Sequence, residues 1–126
     1  MKIKNNDFLN QESINWLKIL NRLQEENINL KMRFSNYIKS GKDGVYLEKL
    51  ESIHNNLLNK DAMLSILRHE IIDLNEKINK ELKKNNHTNI RLDKRQKKLR
   101  EDMKSLEEEF ERLKQDLITH TGKSKS

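Results

Sequence analysis

Between Tyr46 and Leu82 an apolar residue returns every three or four positions, and this spacing limits what the chain can fold into more than any other feature. Leu50, Leu57, Leu64, Ile71 and Ile78 recur at every seventh residue. Tyr46, Ile53, Leu67 and Leu74 fill the alternate slots, and only Lys60 and Glu81 interrupt that second row. A 3-4-3-4 repeat keeps one seam on one side of an α-helix. No Gly or Pro breaks the run. At about 1.5 Å per residue it makes a rod roughly 55–60 Å long. Such a rod cannot cover its own seam and needs partner helices.

Composition agrees with thin helices rather than a thick globular core. Only 33% of the 126 residues are hydrophobic and 37% are charged, so a narrow stripe is buried and the rest is wet. Regular apolar spacing argues against disorder, the other outcome at this polarity. Proline is absent, and two of the three glycines flank one short stretch. Cysteine is absent, which excludes disulfides and thiolate chemistry. No stretch approaches the ~20 apolar residues of a membrane span, and no apolar run follows the two N-terminal lysines, so the expectation is a cytoplasmic protein with no membrane contact. The net charge of +6 admits an acidic partner such as nucleic acid. The chain is also crowded with Lys, Asn and Ile and has a single alanine, Ala62. An A/T-rich genome produces that bias with no selection for phosphate binding.

Residues 1–10 read as a flexible lead. Asn10 suits an N-cap, with Leu9 and Ile14 placed for a hydrophobic staple across it. The first helix is expected over residues 11–39. Trp16, Leu20, Leu23, Asn27, Leu30, Phe34 and Tyr37 form its seam, and Leu17, Ile19 and Ile38 widen it. Asn27 falls at a core position, where an Asn either fixes register or is tolerated at a wet seam. Ser40, Gly41, Lys42, Asp43 and Gly44 form a break, with Gly41 suited to the C′ position and Asp43 to the next N-cap. A loop this short makes the flanking helices antiparallel neighbours. The second helix is expected over residues 44–84. Leu58, Met63, Ile66 and Ile72 give it a second apolar flank, which makes it the middle helix, and Asn59, Lys60 and Asp61 form a soft spot. Asn85, Asn86, His87, Thr88 and Asn89 read as a turn, because five polar residues would leave a seam with nothing to bury. A four-residue stutter in one continuous helix is the rival reading.

The third helix is expected over residues 89–119, and residues 120–126 read as a disordered tail. Its seam of Leu92, Leu99, Met103, Leu106, Phe110, Leu113 and Leu117 is broken only by Gln96. Leu92, Leu99, Met103, Leu106, Phe110 and Leu113 are therefore the candidate self-association seam. Charge along this helix is blocked. Arg91, Lys94, Arg95, Lys97, Lys98 and Arg100 precede an acidic block of Glu101, Asp102, Glu107, Glu108, Glu109 and Glu111. Cations in the first turns oppose the helix dipole, so compensation is expected. An antiparallel copy of the same helix would supply it, as would intrahelical pairs: Lys97 with Glu101, Lys98 with Asp102, Lys104 with Glu108, and Arg112 with Asp116. The same six cations are the candidate anion-contacting block. No aromatic residue lies near them to stack on bases, and no nucleic-acid module is visible.

Other motifs fail on their own chemistry. His69 and Asp73 could clamp a metal from one helix face, but the second His of H-E-x-x-H is missing. Gly122-Lys123-Ser124 lacks the earlier glycine of a phosphate loop, since position 117 is Leu117. The carboxylates show no sign of a pocket, and no catalytic constellation, cofactor motif or metal set emerges. The outline resembles the short three-helix repeats of the spectrin type, with an early tryptophan, Trp16. The third helix has no tryptophan, so the resemblance is one of outline and implies no function. The expectation is an all-α protein of three long antiparallel helices, up-down-up, in a coiled-coil-like bundle. It is a non-enzymatic scaffold or protein-interaction module that self-associates, most simply as a dimer, or engages another helical protein. A nucleic-acid-associated protein using residues 91–100 is the alternative.

Overall fold

The computed structural model describes residues 2–40, 47–85 and 90–121, with side chains described from 11 to 40, 48 to 84 and 90 to 121. Three helices pack into one bundle: α1 (Lys2–Lys39), α2 (Leu47–Asn85) and α3 (Ile90–Thr121). Among the described residues there is no strand, and no helix is long and apolar enough to cross a membrane. The expected all-α, three-helix architecture is the one observed.

Interhelical contacts define the topology. Side chains of α1 meet those of α3 at nearly constant separations of 84 to 88 residues, as in Gln96–Glu12, Arg22–Glu107 and Arg33–Thr121. A constant offset means α1 and α3 run parallel. On α2 the partners run the other way: Ser13 meets Asn75, Asn21 meets Arg68, and Lys31 meets Asp61. Between α2 and α3 the order is again reversed, from Arg95–Glu70 to Lys60–Glu109 and Lys49–Asp116. The bundle is thus up-down-up. A reversal between Asn85 and Ile90 excludes the continuous-helix reading. The second helix packs heavily on both neighbours, while α1 and α3 touch more lightly.

The core is the set of seams lying face to face. Trp16, Leu20, Leu23 and Leu30 of α1 meet Ile53, Leu57, Leu64, Leu67, Ile71, Leu74, Ile78 and Leu82 of α2. The α3 seam completes the cluster, from Leu92 through Leu106 and Phe110 to Leu117. Phe34 is only half-buried but still packs against this core.

Three polar residues interrupt the core, and each is held. Asn27 is 0% exposed, which excludes a wet seam. Its Nδ2 donates to the Leu57 carbonyl at 3.1 Å and to Asp61 Oδ1 at 2.8 Å. Its Oδ1 is buried with no hydrogen-bond partner among the described residues, so the amide is satisfied on its donor side alone, and those two bonds favour one alignment of α1 on α2. Lys60 lays its stem along the core and reaches out to Asn56 Oδ1 at 2.9 Å and Glu109 Oε1 at 3.1 Å. Gln96 donates to Glu12 Oε1 at 2.6 Å. The soft spot at Asn59, Lys60 and Asp61 is therefore unbroken helix, gripped from both sides.

Helix ends differ in places from the expected ones. α1 begins at Lys2 rather than after a cap at Asn10, since no Gly or Pro interrupts 2–10. At its other end the Ser40 amide donates to the Asn36 and Tyr37 carbonyls, and its hydroxyl donates to Tyr37 at 2.6 Å. α3 runs to Thr121, two residues past the expected end, because the Thr121 hydroxyl bonds back to the Leu117 carbonyl at 2.7 Å and accepts from Arg33. The expected caps Gly41 and Asp43, Tyr46, residues 86–89 and the Gly122-Lys123-Ser124 motif lie outside the described residues.

Burial of adjacent residues gives a direct test. Leu57→Ala, at a fully buried site, should cost about 2–5 kcal/mol in urea unfolding. Leu58→Ala, on the half-exposed outer flank, should cost less than about 1 kcal/mol.

Candidate functional site

All six residues of the candidate self-association seam lie inside the chain's own core. Leu92, Leu99, Met103, Leu106, Phe110 and Leu113 are buried against α1 and α2. A second copy could reach them only after α3 had left the bundle. The folded surface therefore offers other ground for contacts.

That ground is unevenly distributed. Among the described residues, the outer face of α3 is charged or polar between Ile90 and Ile118. The outer flanks of α1 and α2 are not. Ile14 and Ile28 lie two heptads apart on α1, and Leu58 and Ile72 lie two heptads apart on α2, all about half exposed. The antiparallel register set by Ser13–Asn75 and Asn27–Leu57 places Ile14 opposite Ile72 and Ile28 opposite Leu58. The face thus carries two apolar pairs with a polar middle. In that middle Arg68 donates to Asn21 Oδ1 at 3.0 Å and to Gln24 Oε1 at 2.9 Å. Beyond Ile28 the same face opens into a cavity of about 330 Å³ lined by Lys31, Phe34, Ser35, Ile38 and His54. Phe34 and His54 stack there with ring centroids 5.3 Å apart. The sequence signal for this face was present in Leu58 and Ile72, which the seam of α2 leaves unused.

The blocked charge of α3 finds its compensation on the other two helices. Arg95 binds Glu70 at 2.8 Å and Asp73 at 3.3 Å on α2. Arg100 makes a two-pronged contact with Glu12 of α1, at 2.7 and 3.2 Å. In the acidic block Glu107 meets Arg22 at 2.9 Å and Glu109 meets Lys60. Of the four expected intrahelical pairs, the one formed among the described residues is Lys98–Asp102 at 3.3 Å. An antiparallel copy is thus not needed to balance the helix. The same contacts divide the candidate anion-contacting block. Arg95 and Arg100 are engaged and Lys98 is paired, while Arg91, Lys94 and Lys97 are exposed. Arg91 and Arg95 face α2, whereas Lys94, Lys97 and Lys98 lie on the outer side of α3.

The His69–Asp73 metal reading does not assemble. His69 Nδ1 lies 3.0 Å from the Ser65 carbonyl, and Asp73 is held by Lys77 at 2.8 Å and by Arg95. Among the described residues no group of three or more His, Asp or Glu side chains could hold a metal ion. The hydrogen bond from Lys77, helped by Arg95, holds the Asp73 carboxyl below the usual carboxylate range. The Glu70 carboxylate, followed by Asp73, raises Arg95 further above neutrality. These are structural ties, and Asp73 is absent from the linings of the three cavities described among these residues. The chain matches no protein-family model, no curated protein and no solved structure.

The lowered Asp73 pKa has a sign in folding. Its contribution is complete above the unfolded value of 3.8 and is lost as pH falls through the lower folded value. Thermal melts from pH 6 down to the acid limit should therefore show Asp73→Asn with a shallower acid loss than the parent chain. Equal slopes would remove Asp73 from the acid response.

Proposed function

We propose that this chain is a non-enzymatic helical interaction module that pairs with a second copy of itself through the outer face of α1 and α2. The observation that carries the reading is the pair of apolar clusters Ile14–Ile72 and Ile28–Leu58, the exposed hydrophobics that face each other across the α1–α2 groove, whereas Met32, Ile66 and Ile90 are exposed elsewhere. Fourteen residues separate the clusters on each helix, about 21 Å along the axis. An antiparallel helix pair has a local two-fold axis through its middle, which here passes near Asn21 and Arg68. A second copy rotated by a half-turn can set cluster on cluster and Arg68 near the partner's polar middle. Such an isologous contact closes at two copies. It would build a four-helix layer of the coiled-coil type from two α1–α2 hairpins, leaving the charged outer faces of α3 free for other proteins. A scaffold of this kind works by presenting fixed helix faces, for which a reacting site is not required.

Light scattering at low and high salt tests this. A dimer at both salts is the expected result, because the contact is apolar at its clusters. Ile28→Glu with Leu58→Glu should give a monomer of unchanged helicity, while Lys98→Glu should leave the mass alone. A parent chain that is monomeric at about 100 μM, well above the micromolar range where a specific interface would hold, would overturn the proposal.

A further inference from the structure

We infer that the cleft between the last turns of α2 and the first turns of α3 is a binding site for a small ligand carrying two or more phosphate groups. The cleft measures about 480 Å³ and is lined by Lys77, Lys80, Glu81, Lys84, Arg91, Leu92 and Arg95. That volume falls within the roughly 300–1,000 Å³ of small-molecule sites and exceeds what a single phosphate would fill. Two rows of cations face each other across it. Lys77, Lys80 and Lys84 follow one another at helical spacing on α2, and Arg91 and Arg95 do so on α3.

Charge accounting separates this cluster from an ordinary solvated surface. Asp73 takes Lys77 at 2.8 Å, and Glu70 with Asp73 takes Arg95. Glu81, the one acidic residue of the lining, has an interaction of its own. Lys80, Lys84 and Arg91 have no carboxylate partner among the described residues. Elsewhere on the bundle Arg22, Lys49, Lys60, Arg100 and Lys114 each meet a carboxylate of a neighbouring helix, and Arg68 and Arg33 meet neutral oxygens across helices. Three unpaired cations converging on one concavity repel one another, and Arg91 also lies against the positive end of the α3 dipole. An anion seated between the rows relieves both costs at once. Phosphate suits the donors: Arg91 can meet two oxygens in a fork, while the lysines bind as mobile point charges. Leu92 and the lysine stems supply an apolar wall for an organic part of the ligand. The site is concave and local, which favours a small polyphosphorylated molecule over a nucleic-acid strand. A strand would also need the cations on the outer side of α3.

Titration calorimetry with the whole chain tests the assignment, using inorganic tripolyphosphate, orthophosphate and a single-stranded oligonucleotide at about 0.15 M salt. Tripolyphosphate should bind once per chain, at least ~10-fold tighter than orthophosphate, since it engages several charge-assisted contacts. Lys80→Gln with Arg91→Gln should weaken it by at least ~10-fold. Lys94→Gln with Lys97→Gln removes the same charge from the outer side of α3 and should change it less than about 3-fold. Each single variant at 80 and 91 gives the same comparison should the pair lose helicity. Equal weakening by both double variants, several ions per chain, no tripolyphosphate binding, or oligonucleotide binding that depends alike on both clusters would overturn the inference.

Discussion

A stripe two residues wide in every seven can be kept dry only by other helices, and the long-range features of this bundle follow from how α3 obtains that cover. Alone, α3 presents Leu92 to Leu117 to water with charged flanks on both sides. Folded, that row lies in the groove between α1 and α2, and Leu106, Leu113 and Leu117 are almost fully enclosed. Leucine packing alone does not choose a height along the groove, because one heptad looks much like the next. The polar ties do that. Gln96 and Arg100 must both find Glu12, Lys60 must find Glu109, and Asn27 must find Asp61. Sliding any helix by one turn would strand a buried amide or ammonium, which costs more than an exposed ion pair returns. Hydrophobic burial thus supplies the cohesion, and a few partly buried polar groups supply the alignment.

The same division explains how the surface is partitioned. Flank residues of α3 that pair with α1 or α2 are committed to alignment and are poor candidates for binding anything else. Arg95 and Arg100 are of this kind. What remains includes an apolar patch on the α1–α2 side and a cationic cluster at the end where α2 gives way to α3, besides the exposed lysines and carboxylates on the outer side of α3. The two surfaces are far apart in character: one suits another helix pair, the other an anion. Neither competes with the core for residues, so contacts at either can form without opening the bundle.

Much of this was legible in the sequence, and the part that was not has a definite cause. The seams were readable because burial imposes a period: Leu50 to Ile78 and Leu92 to Leu117 repeat as covered helices must. The number of helices and their order followed from seam length and two breaks. The middle place of α2 did not follow from the extra flank, since Leu58, Ile66 and Ile72 stay exposed and only Met63 packs on the core. Charge carries no such period. Lys97 with Glu101 and Lys98 with Asp102 read like an intrahelical network, yet Arg95 in the same block has its partners in Glu70 and Asp73, more than twenty residues earlier. For the same reason the two cation rows of the cleft were invisible as one cluster. Lys80 and Lys84 belong to the end of one helix, and Arg91 to the start of the next. Asn27 was legible as a core position but not as a bonded one, since its acceptors, the Leu57 carbonyl and Asp61, lie on another helix. The start of α1 was missed because Asn10 is a good cap wherever it stands, and a cap residue marks a possible helix end without requiring one.

This fold requires that α3 turn back onto the α1–α2 hairpin of its own chain. Spin labels at exposed positions Asn55 and Arg112, with the labelled chain diluted in unlabelled protein, test it most directly by pulsed dipolar spectroscopy. Adjacent antiparallel helices set these labels on the order of 20–35 Å apart, allowing for interaxial spacing and label length. That distance, unchanged by dilution, is expected of the bundle. A distance near 85 Å, as one unbroken helix would give at about 1.5 Å per residue, would contradict it. A short distance that disappears on dilution would contradict it equally, because the covering helices would then come from another copy.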